Sequence, residues 1–151
     1  MNQDEKFMKA ALKEAYKAYE KDEVPVGCVI VKYGKIIARG HNLRETTSSA
    51  IKHAEVVAIE KANRKLNSWR LNDCTLYVTL EPCPMCAGAI FLSRVTRVVY
   101  AASDPKGGVL NDEFNMYEQK FVNHRPLIDR DVLKEEAETI LKNYFKNKRK
   151  A

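Results

Sequence analysis

Hydrophobic positions along the chain change from helical to strand spacing and back. Apolar residues recur every three or four positions over residues 5–19, which predicts an amphipathic helix. Two β-branched runs then flank Tyr33 and Gly34, and this pattern predicts a β-hairpin. Helical spacing returns over residues 53–66. The first part of the chain is therefore expected to fold as helix, hairpin and helix.

The rest of the chain continues the alternation of strand and helix. The predicted elements are a strand at 75–80, a helix at 84–93, a strand at 95–102, a helix at 111–119, a loop or short strand at 123–129 and a basic C-terminal helix at about 131–150. This order predicts an α/β fold, a three-layer α/β/α sandwich with a central mixed five-stranded sheet. Such a sandwich places its active site where helix N-termini meet strand ends.

Length and composition are those of one globular domain. The chain has 151 residues, 45% hydrophobic and 30% charged, and we expect residues 1–151 to form a single zinc-dependent domain for the reasons given below. It has no run of about 18 apolar residues, so no membrane span is expected. The segment MNQDEKFMKAAL is charged where a signal peptide needs an apolar core, which predicts a cytoplasmic protein.

The positive charge of the chain is concentrated at one end. The net charge is +6, and residues 142–151 contain five basic residues and no acidic one, while the remaining 21 basic and 20 acidic residues nearly cancel. Basic residues interleaved with Tyr144 and Phe145 suit phosphates and exposed bases. The alternative is a solvated helix end whose cations interact with the helix dipole. Composition alone slightly favours this second interpretation.

The segment EPCPMC contains two of the four cysteines. Two cysteines at this spacing form a disulfide, a redox pair or half of a metal site, and disulfides are rare in the cytoplasm. On a helix, Cys83 and Cys86 lie on one face, and Pro84 is tolerated in the first turn. The helix N-terminus favours the thiolate, which is the form that binds metal. The spacing therefore favours a metal site that needs a further ligand.

His53 is the natural third ligand, because it begins another helix that follows an extended segment. Zinc at a catalytic site takes three protein ligands and keeps one position for water. Zinc lowers the pKa of that water to near 7. Glu55 is placed to reach the water, take its proton and deliver it to a leaving group. The sequence thus predicts a hydrolytic site with one Zn²⁺ per subunit.

The combination of H-x-E with P-C-x-x-C is the signature of zinc-dependent deaminases. A structural zinc module would need a fourth Cys or His and would not need Glu55. A redox CxxC would leave the His-x-Glu pair as a coincidence. Cys28 and Cys74 lie in apolar strand sequence without paired spacing, and we expect them to be small core residues.

Nearly the whole chain resembles the tRNA-specific adenosine deaminases of bacteria, which belong to the cytidine deaminase-like superfamily. HAE and PCxxC are shared by all relatives in that superfamily, so the first and last of the matching segments are more specific than these two motifs. The matching segments are EVPVGCVIV (23–31), ARGHNLRET (38–46), HAEVVAIEKA (53–62), SWRLNDCTLYVTLEPCPMCAGAI (68–90), SRVTRVVYAASDPKGG (93–108), NHRP (123–126) and YFKNKR (144–149).

This resemblance implies an activity and partners. Members of the family convert adenosine to inosine at the wobble position of a tRNA anticodon, typically that of arginine tRNA in bacteria, and act as homodimers. The expected partners are therefore a tRNA anticodon stem-loop and a second copy of the chain, whose interface would lie near the helix after the PCxxC motif. The basic tail would then contact RNA.

The resemblance also implies residue roles. His53, Cys83 and Cys86 would hold the zinc, and Glu55 would be the proton donor and acceptor. Asn42 would hydrogen-bond the flipped base, although an isolated Asn more commonly forms a turn. The other candidate substrate-binding residues are Val26 and Ala54 at the base, Pro82 beside the zinc motif, Asp104 and Lys106 in the anticodon-contacting loop, and Phe145 and Arg149 on the C-terminal helix.

Two segments depart from the family pattern. Residues 50–52 read Ala-Ile-Lys where the family usually has Pro-Thr-Ala, beside the zinc histidine, so the local backbone or RNA contacts are expected to differ. Residues 109–121 also differ from the commoner family sequence. The details of the dimer rim and of the contact with the RNA loop are therefore expected to differ. His41 and His124 are expected to be structural or surface residues, with His124 a weak candidate for loop positioning. Trp69 is expected to anchor the core or an interface.

Two other functions remain open on the sequence. A nucleobase or nucleoside deaminase that acts on guanine, cytosine or cytidine would share the zinc chemistry. A non-catalytic zinc-containing RNA-binding module, from a different functional class, would not need Glu55. The basic aromatic tail and the SDPKGG segment (103–108) favour RNA over a free base.

Overall fold

A computed structural model describes residues 2–150, except for the side chain of Lys150. Met1, Ala151 and the Lys150 side chain, which belong to the predicted domain and tail, lie outside the described residues. The helices are α1 (Gln3–Glu20), α2 (Arg44–Thr47), α3 (Ala54–Leu66), α4 (Pro84–Leu92) and α5 (Lys134–Lys150). The strands are β1 (Gly27–Lys32), β2 (Lys35–His41), β3 (Cys74–Leu80), β4 (Arg97–Ala102) and β5 (Leu127–Asp129). Within residues 2–150, no helix is both long and apolar enough to cross a membrane.

The five strands form one mixed sheet in the order β2-β1-β3-β4-β5. β1 is antiparallel to β2 and β3, whereas β3, β4 and β5 are parallel to one another. α1 and α5 pack on one face of this sheet, and α3 and α4 pack on the other. The predicted three-layer α/β/α sandwich is confirmed.

The central strands of the sheet are buried on both faces, and successive residues of β1 belong to different cores. Val29 and Val31 pack with α1, whereas Cys28 and Ile30 pack with α3 and α4. Side chains of a strand alternate between the two faces, so a strand covered on both faces needs apolar residues at every position. Cys74 lies in the same core as Cys28, on the face covered by α3 and α4. The prediction that Cys28 and Cys74 are buried core residues is therefore confirmed.

The hairpin turn between β1 and β2 is as predicted. Tyr33 and Gly34 have positive φ angles of 49° and 78°, as a tight two-residue hairpin turn requires. At the other end of β2, Gly40 lies directly against α3, where a Cβ would meet the backbone of Ala54 and Ala58. This close approach brings the end of β2 beside the N-terminus of α3.

The predicted helix at residues 111–119 is wrong. The segment contains only a three-residue 3-10 helix, Met116–Glu118. Asn111 and Asn115 accept hydrogen bonds from backbone N–H groups two or three residues further on, each at 2.9 Å. Such local bonds satisfy the backbone in place of a helical ladder.

The last helix begins at Lys134, not near residue 131. Asp131 and Leu133 have positive φ angles of 65° and 55°, which a right-handed helix does not allow. The short helix α2 was not predicted, because a single turn has no hydrophobic period to detect.

Trp69 does not belong to the core, because 52% of its surface is exposed. The guanidinium groups of Arg70 and Arg94 lie 4.3 and 5.6 Å from the centre of its ring. Cations over an indole face are stabilised by the ring quadrupole. The core role is therefore wrong, and the interface role stays a prediction.

Candidate active site

Four strand ends meet at one edge of the sheet. β1 is antiparallel to β2 and β3, so the start of β1 and the ends of β2 and β3 lie together, and β4 ends at the same edge because it is parallel to β3. Ligands bind at this kind of edge in α/β sheets. The predicted site residues placed next to these four strand ends are Val26, Asn42, Cys83 and Asp104.

Three ligand atoms converge at two helix N-termini on this edge. His53 is the N-cap of α3, Cys83 is the N-cap of α4, and Cys86 follows in the first turn of α4. The Nδ1 atom of His53 lies 3.6 Å from Sγ of Cys83 and 3.5 Å from Sγ of Cys86. The three ligand atoms all lie within 4.8 Å of one another.

The ligand geometry fits zinc. Tetrahedral zinc, with Zn–S of about 2.3 Å and Zn–N of about 2.0 Å, holds a sulfur and a nitrogen roughly 3.5 Å apart. The two measured N–S distances match this value, and two sulfurs with one nitrogen form a ligand set of catalytic zinc. His53, Cys83 and Cys86 are therefore positioned to bind Zn²⁺. The four cysteines of the chain are free thiols, so the disulfide alternative for EPCPMC is wrong.

The two thiols of the metal site differ in acidity. The hydrogen bond with Cys86 lowers the pKa of Cys83 to about 4, with a further contribution from His53 and against the effect of burial. The same hydrogen bond and burial raise the pKa of Cys86. The hydrogen bond with Cys83 raises the pKa of His53. Because zinc binds thiolates, the second thiol proton must leave when metal binds.

Glu55 lies in the first turn of α3 and is 4% exposed. Burial raises the pKa of its carboxyl to about 7. A carboxyl group with a pKa near the operating pH can both accept and donate a proton. Its place beside His53 and Cys83 in the cavity wall gives the metal site a proton-transfer group.

A cavity of about 190 Å³ opens at the metal site. Seven of the predicted site residues line this cavity. They are Val26, Asn42, His53, Ala54, Glu55, Cys83 and Asp104. Cys86 is fully buried, although its Sγ still reaches His53. The cavity walls combine apolar side chains with a few polar groups, as in small-molecule sites.

Lys106 and Phe145 lie outside this cavity in an adjoining groove. The groove shares Val24, Leu80 and Asp104 with the cavity. Phe145 also lines a further surface groove on α5, together with Arg149, Lys142 and Lys146. The C-terminal candidates therefore extend the site away from the metal.

Two candidates also have the local roles that their residue types suggest. The Oδ1 atom of Asn42 accepts a hydrogen bond from the backbone N–H of Arg44 at 3.1 Å. Asp104 Oδ1 accepts from the backbone N–H groups of Lys106 and Gly107, both at 3.1 Å. Turn formation and cavity lining therefore coexist at both positions. Pro82 is buried, and its carbonyl accepts from the Val109 N–H at 3.2 Å.

Sequence reasoning missed Arg44 and Glu81, which both line the cavity. Arg44 stands in the family-like ARGHNLRET segment, and Glu81 directly precedes the P-C-x-x-C motif, so adjacency was the only available signal. The two remaining histidines are structural, as expected. His41 hydrogen-bonds Glu14 at 2.9 Å, and His124 Nε2 donates to the Val95 carbonyl at 2.7 Å.

Comparison with known proteins defines the class of this site. Residues 1–102 match the family described as cytidine and deoxycytidylate deaminase zinc-binding region. The chain belongs to this family of zinc-dependent deaminases.

Particular relatives narrow the comparison. The tRNA-specific adenosine deaminase of Bacillus subtilis (strain 168) is 53% identical over 150 residues, which cover 99% of this chain and 93% of the relative. The tRNA-specific adenosine deaminase of Aquifex aeolicus (strain VF5) is 46% identical and covers 96% of this chain and 95% of its own.

A solved structure from studies of A-to-I editing by tRNA:A34 deaminases at the wobble position of transfer RNA is also similar. It superimposes with a TM-score of 0.86 at 42% identity and covers 89% of this chain and 98% of that chain. A guanine deaminase structure from Bacillus subtilis is 46% identical, with a TM-score of 0.64 over 68% of this chain and 66% of that chain.

Proposed function

We propose that this chain is a zinc-dependent hydrolase that converts adenosine to inosine at the wobble position of a tRNA anticodon. One observation carries the proposal. The zinc-site cavity shares wall residues with a groove that is also lined by a cation, Lys106, and an exposed aromatic ring, Phe145. A single-stranded RNA loop presents both phosphates and splayed bases. Near full-length similarity to tRNA-specific adenosine deaminases supports the same substrate.

The proton transfers belong to Glu55. His53, Cys83 and Cys86 would hold Zn²⁺, which would supply Lewis-acid chemistry at this site by acidifying a water molecule and stabilising developing negative charge. Glu55 takes a proton from the water and gives it to the ring nitrogen. Glu55 then takes the proton of the hydroxyl newly bonded to C6 and delivers it to the amino group; the C6–N bond breaks, ammonia leaves and C6 becomes the carbonyl of inosine. Water and adenosine thus give inosine and ammonia.

The cavity selects the extruded base through few residues. Asn42 uses its amide to hydrogen-bond the base, while its Oδ1 is held by the Arg44 N–H. Val26 packs on the purine ring, and the Ala54 backbone reads its edge. Both residues line the cavity, which supports these proposed contacts. Pro82 supports the wall beside Cys83 from its buried position.

The anticodon stem-loop of arginine tRNA is the proposed macromolecular substrate. Asp104 and Lys106 contact nucleotides beside the target, and Phe145 and Arg149 extend the contact along α5. The active form is a homodimer in the cytoplasm. Leu92 at the end of α4 is 58% exposed, and Phe121, whose ring centre lies 6.4 Å from that of Phe91 on the same helix, is 64% exposed. These exposed side chains support an apolar interface after the P-C-x-x-C motif.

A nucleobase deaminase is the second candidate function. The guanine deaminase from Bacillus subtilis shares 46% identity over 68% of this chain, and a free base would use the same cavity. The experiment is to incubate the purified enzyme with an anticodon stem-loop, free guanine, free cytosine and cytidine. We expect ammonia and inosine from the stem-loop. Ammonia from the free compounds alone would contradict the tRNA proposal, and no ammonia from any would favour a non-catalytic RNA-binding module.

Truncation of side chains that line the groove on α5 is expected to weaken RNA binding without lowering kcat for deamination. Phe145→Ala removes a stacking surface, which is worth about 1–3 kcal/mol per base, so KM for the stem-loop should rise about tenfold. Arg149→Ala removes a phosphate contact and should reduce the dependence of binding on salt by about one counterion. Steady-state kinetics at several salt concentrations measure both effects.

Matched substitutions outside the groove serve as controls. Tyr33→Ala removes an exposed aromatic ring from the turn between β1 and β2, at the sheet edge opposite the site. Lys65→Ala removes an exposed cation from the last turn of α3, at the end opposite the site. Equal KM changes in the control and test variants would show that α5 is not a specific RNA surface.

A further inference from the structure

Glu81 is a buried acidic residue that the proposed mechanism does not use. It connects the end of β3 to Pro82 and is 3% exposed. A buried carboxylate is costly unless hydrogen bonds compensate for its lost hydration. Its partners therefore show what it does in the fold.

All the hydrogen bonds that the Glu81 carboxylate accepts come from the segment that follows β4. Oε1 accepts from the backbone N–H of Asp104 at 3.0 Å. Oε2 accepts from the backbone N–H of Leu110 at 3.0 Å and from Nδ2 of Asn111 at 2.8 Å. The carboxylate thus closes both ends of residues 104–110, which we call the clamp loop.

The clamp loop is also hydrogen-bonded within itself. Asp104 Oδ1 accepts from the N–H groups of Lys106 and Gly107, and the Asp104 carbonyl accepts from the Gly108 N–H at 3.0 Å. Gly108 packs directly on the Glu81 carboxylate, where a Cβ would collide with it. The backbone path of the loop therefore depends on Glu81 on one side and on a glycine on the other.

This path places two candidate RNA contacts two residues apart on one turn. Asp104 faces the zinc-site cavity, while Lys106 is exposed in the adjoining groove with Phe145. A loop ordered before binding does not lose conformational freedom when it meets its ligand. A free base fills only the cavity and gains nothing from Lys106.

We propose that Glu81 is a positioning residue that holds the clamp loop in its RNA-binding shape and so determines selectivity for a nucleic-acid loop over a free base. This inference rests on the proposed function. Both carboxylate oxygens are engaged by the loop, so Glu81 acts through Asp104 and Lys106 and not on the reacting atoms.

Two substitutions test the two sides of the contact. Glu81→Gln keeps the side-chain size but turns one acceptor into a donor that faces N–H groups. Gly108→Ala presses a Cβ into the same carboxylate. For each variant we expect KM for the stem-loop to rise roughly tenfold, as expected when buried donors lose their acceptor, with kcat and zinc content unchanged.

Asp4→Asn is the matched control. Asp4 is also a carboxylate with three donors, from Tyr77 and Arg97, but it lies at the opposite edge of the sheet. The Asp4→Asn substitution should lower the melting temperature without changing KM for the stem-loop. A KM rise of equal size in Asp4→Asn, or a fall in kcat or zinc content in both test variants, would show a general structural role and overturn the proposal.

A double-mutant cycle with Lys106→Ala separates positioning from simple destabilisation. If Glu81 acts by placing Lys106, the Lys106→Ala substitution should raise KM in the native background and hardly change it in Glu81→Gln. Fully additive effects would overturn the inference while the proposed function stands. A native enzyme that does not deaminate the stem-loop would overturn the proposed function and, with it, the RNA role of the clamp loop.

Discussion

Replacement of Glu55 by Gln is expected to slow deamination of the anticodon stem-loop by about 10⁴-fold while the chain keeps its zinc. General acid–base catalysis contributes about 10²–10⁴-fold, and the upper end applies because one carboxyl makes successive transfers. Glutamine fills the same buried space in α3, so the ligand geometry at His53 should persist. Inosine is measured by nucleoside mass spectrometry, and zinc is measured by elemental analysis of the same preparation.

Glu60→Gln provides the control on the same helix. Glu60 is a partly exposed residue that pairs with Lys52 at 2.6 Å, outside the cavity. Its loss should leave activity within about twofold, because exposed ion pairs contribute little to stability. A Glu55→Gln enzyme that retains more than about a tenth of native activity would contradict the proton-transfer role.

The zinc site could be predicted from sequence because its ligands are local. Cys83 and Cys86 are separated by one helical turn, and His53 and Glu55 are separated by two residues, so each pair has a fixed relation on its own helix. The two pairs come together only if α3 and α4 begin at the same edge of the sheet. β2 and β3 are both antiparallel to β1 and therefore end at the same edge of the sheet, where α3 and α4 begin.

Residues that act through distant partners could not be found in this way. The partners of Glu81 are 23 to 30 residues further along the chain. His41 likewise meets Glu14 across 27 residues. No local spacing encodes such contacts, since they depend on how β4 and α1 pack against the rest of the fold.

The errors in helix prediction have a related cause. Residues 109–121 have helix-compatible composition, but their path is fixed by contacts made elsewhere. Leu110 bonds Glu81 and pairs with Asn115, and the Asn115 side chain then accepts the Tyr117 N–H at 2.9 Å. Tertiary hydrogen bonds override a weak local propensity.

Loss of one buried zinc ligand is expected to remove zinc and activity together. Cys86→Ser replaces a thiolate by a hydroxyl, which is a much poorer zinc ligand, at a fully buried position one turn into α4. Deamination should fall by about 10³-fold or more, because the attacking water loses the ion that acidifies it. Activity and zinc content per chain are measured before and after dialysis against a chelator.

The native enzyme treated with a chelator should lose activity and regain it with Zn²⁺, whereas Cys86→Ser should not recover. The melting temperature of Cys86→Ser should fall because zinc links the N-termini of α3 and α4, yet its circular dichroism should persist because two apolar cores hold the helices on the sheet. Cys74→Ser is the control, since Cys74 is equally buried but lies at the start of β3. A zinc-free Cys86→Ser enzyme that still deaminates RNA would contradict the zinc mechanism, and zinc loss in Cys74→Ser would show that general destabilisation empties the site.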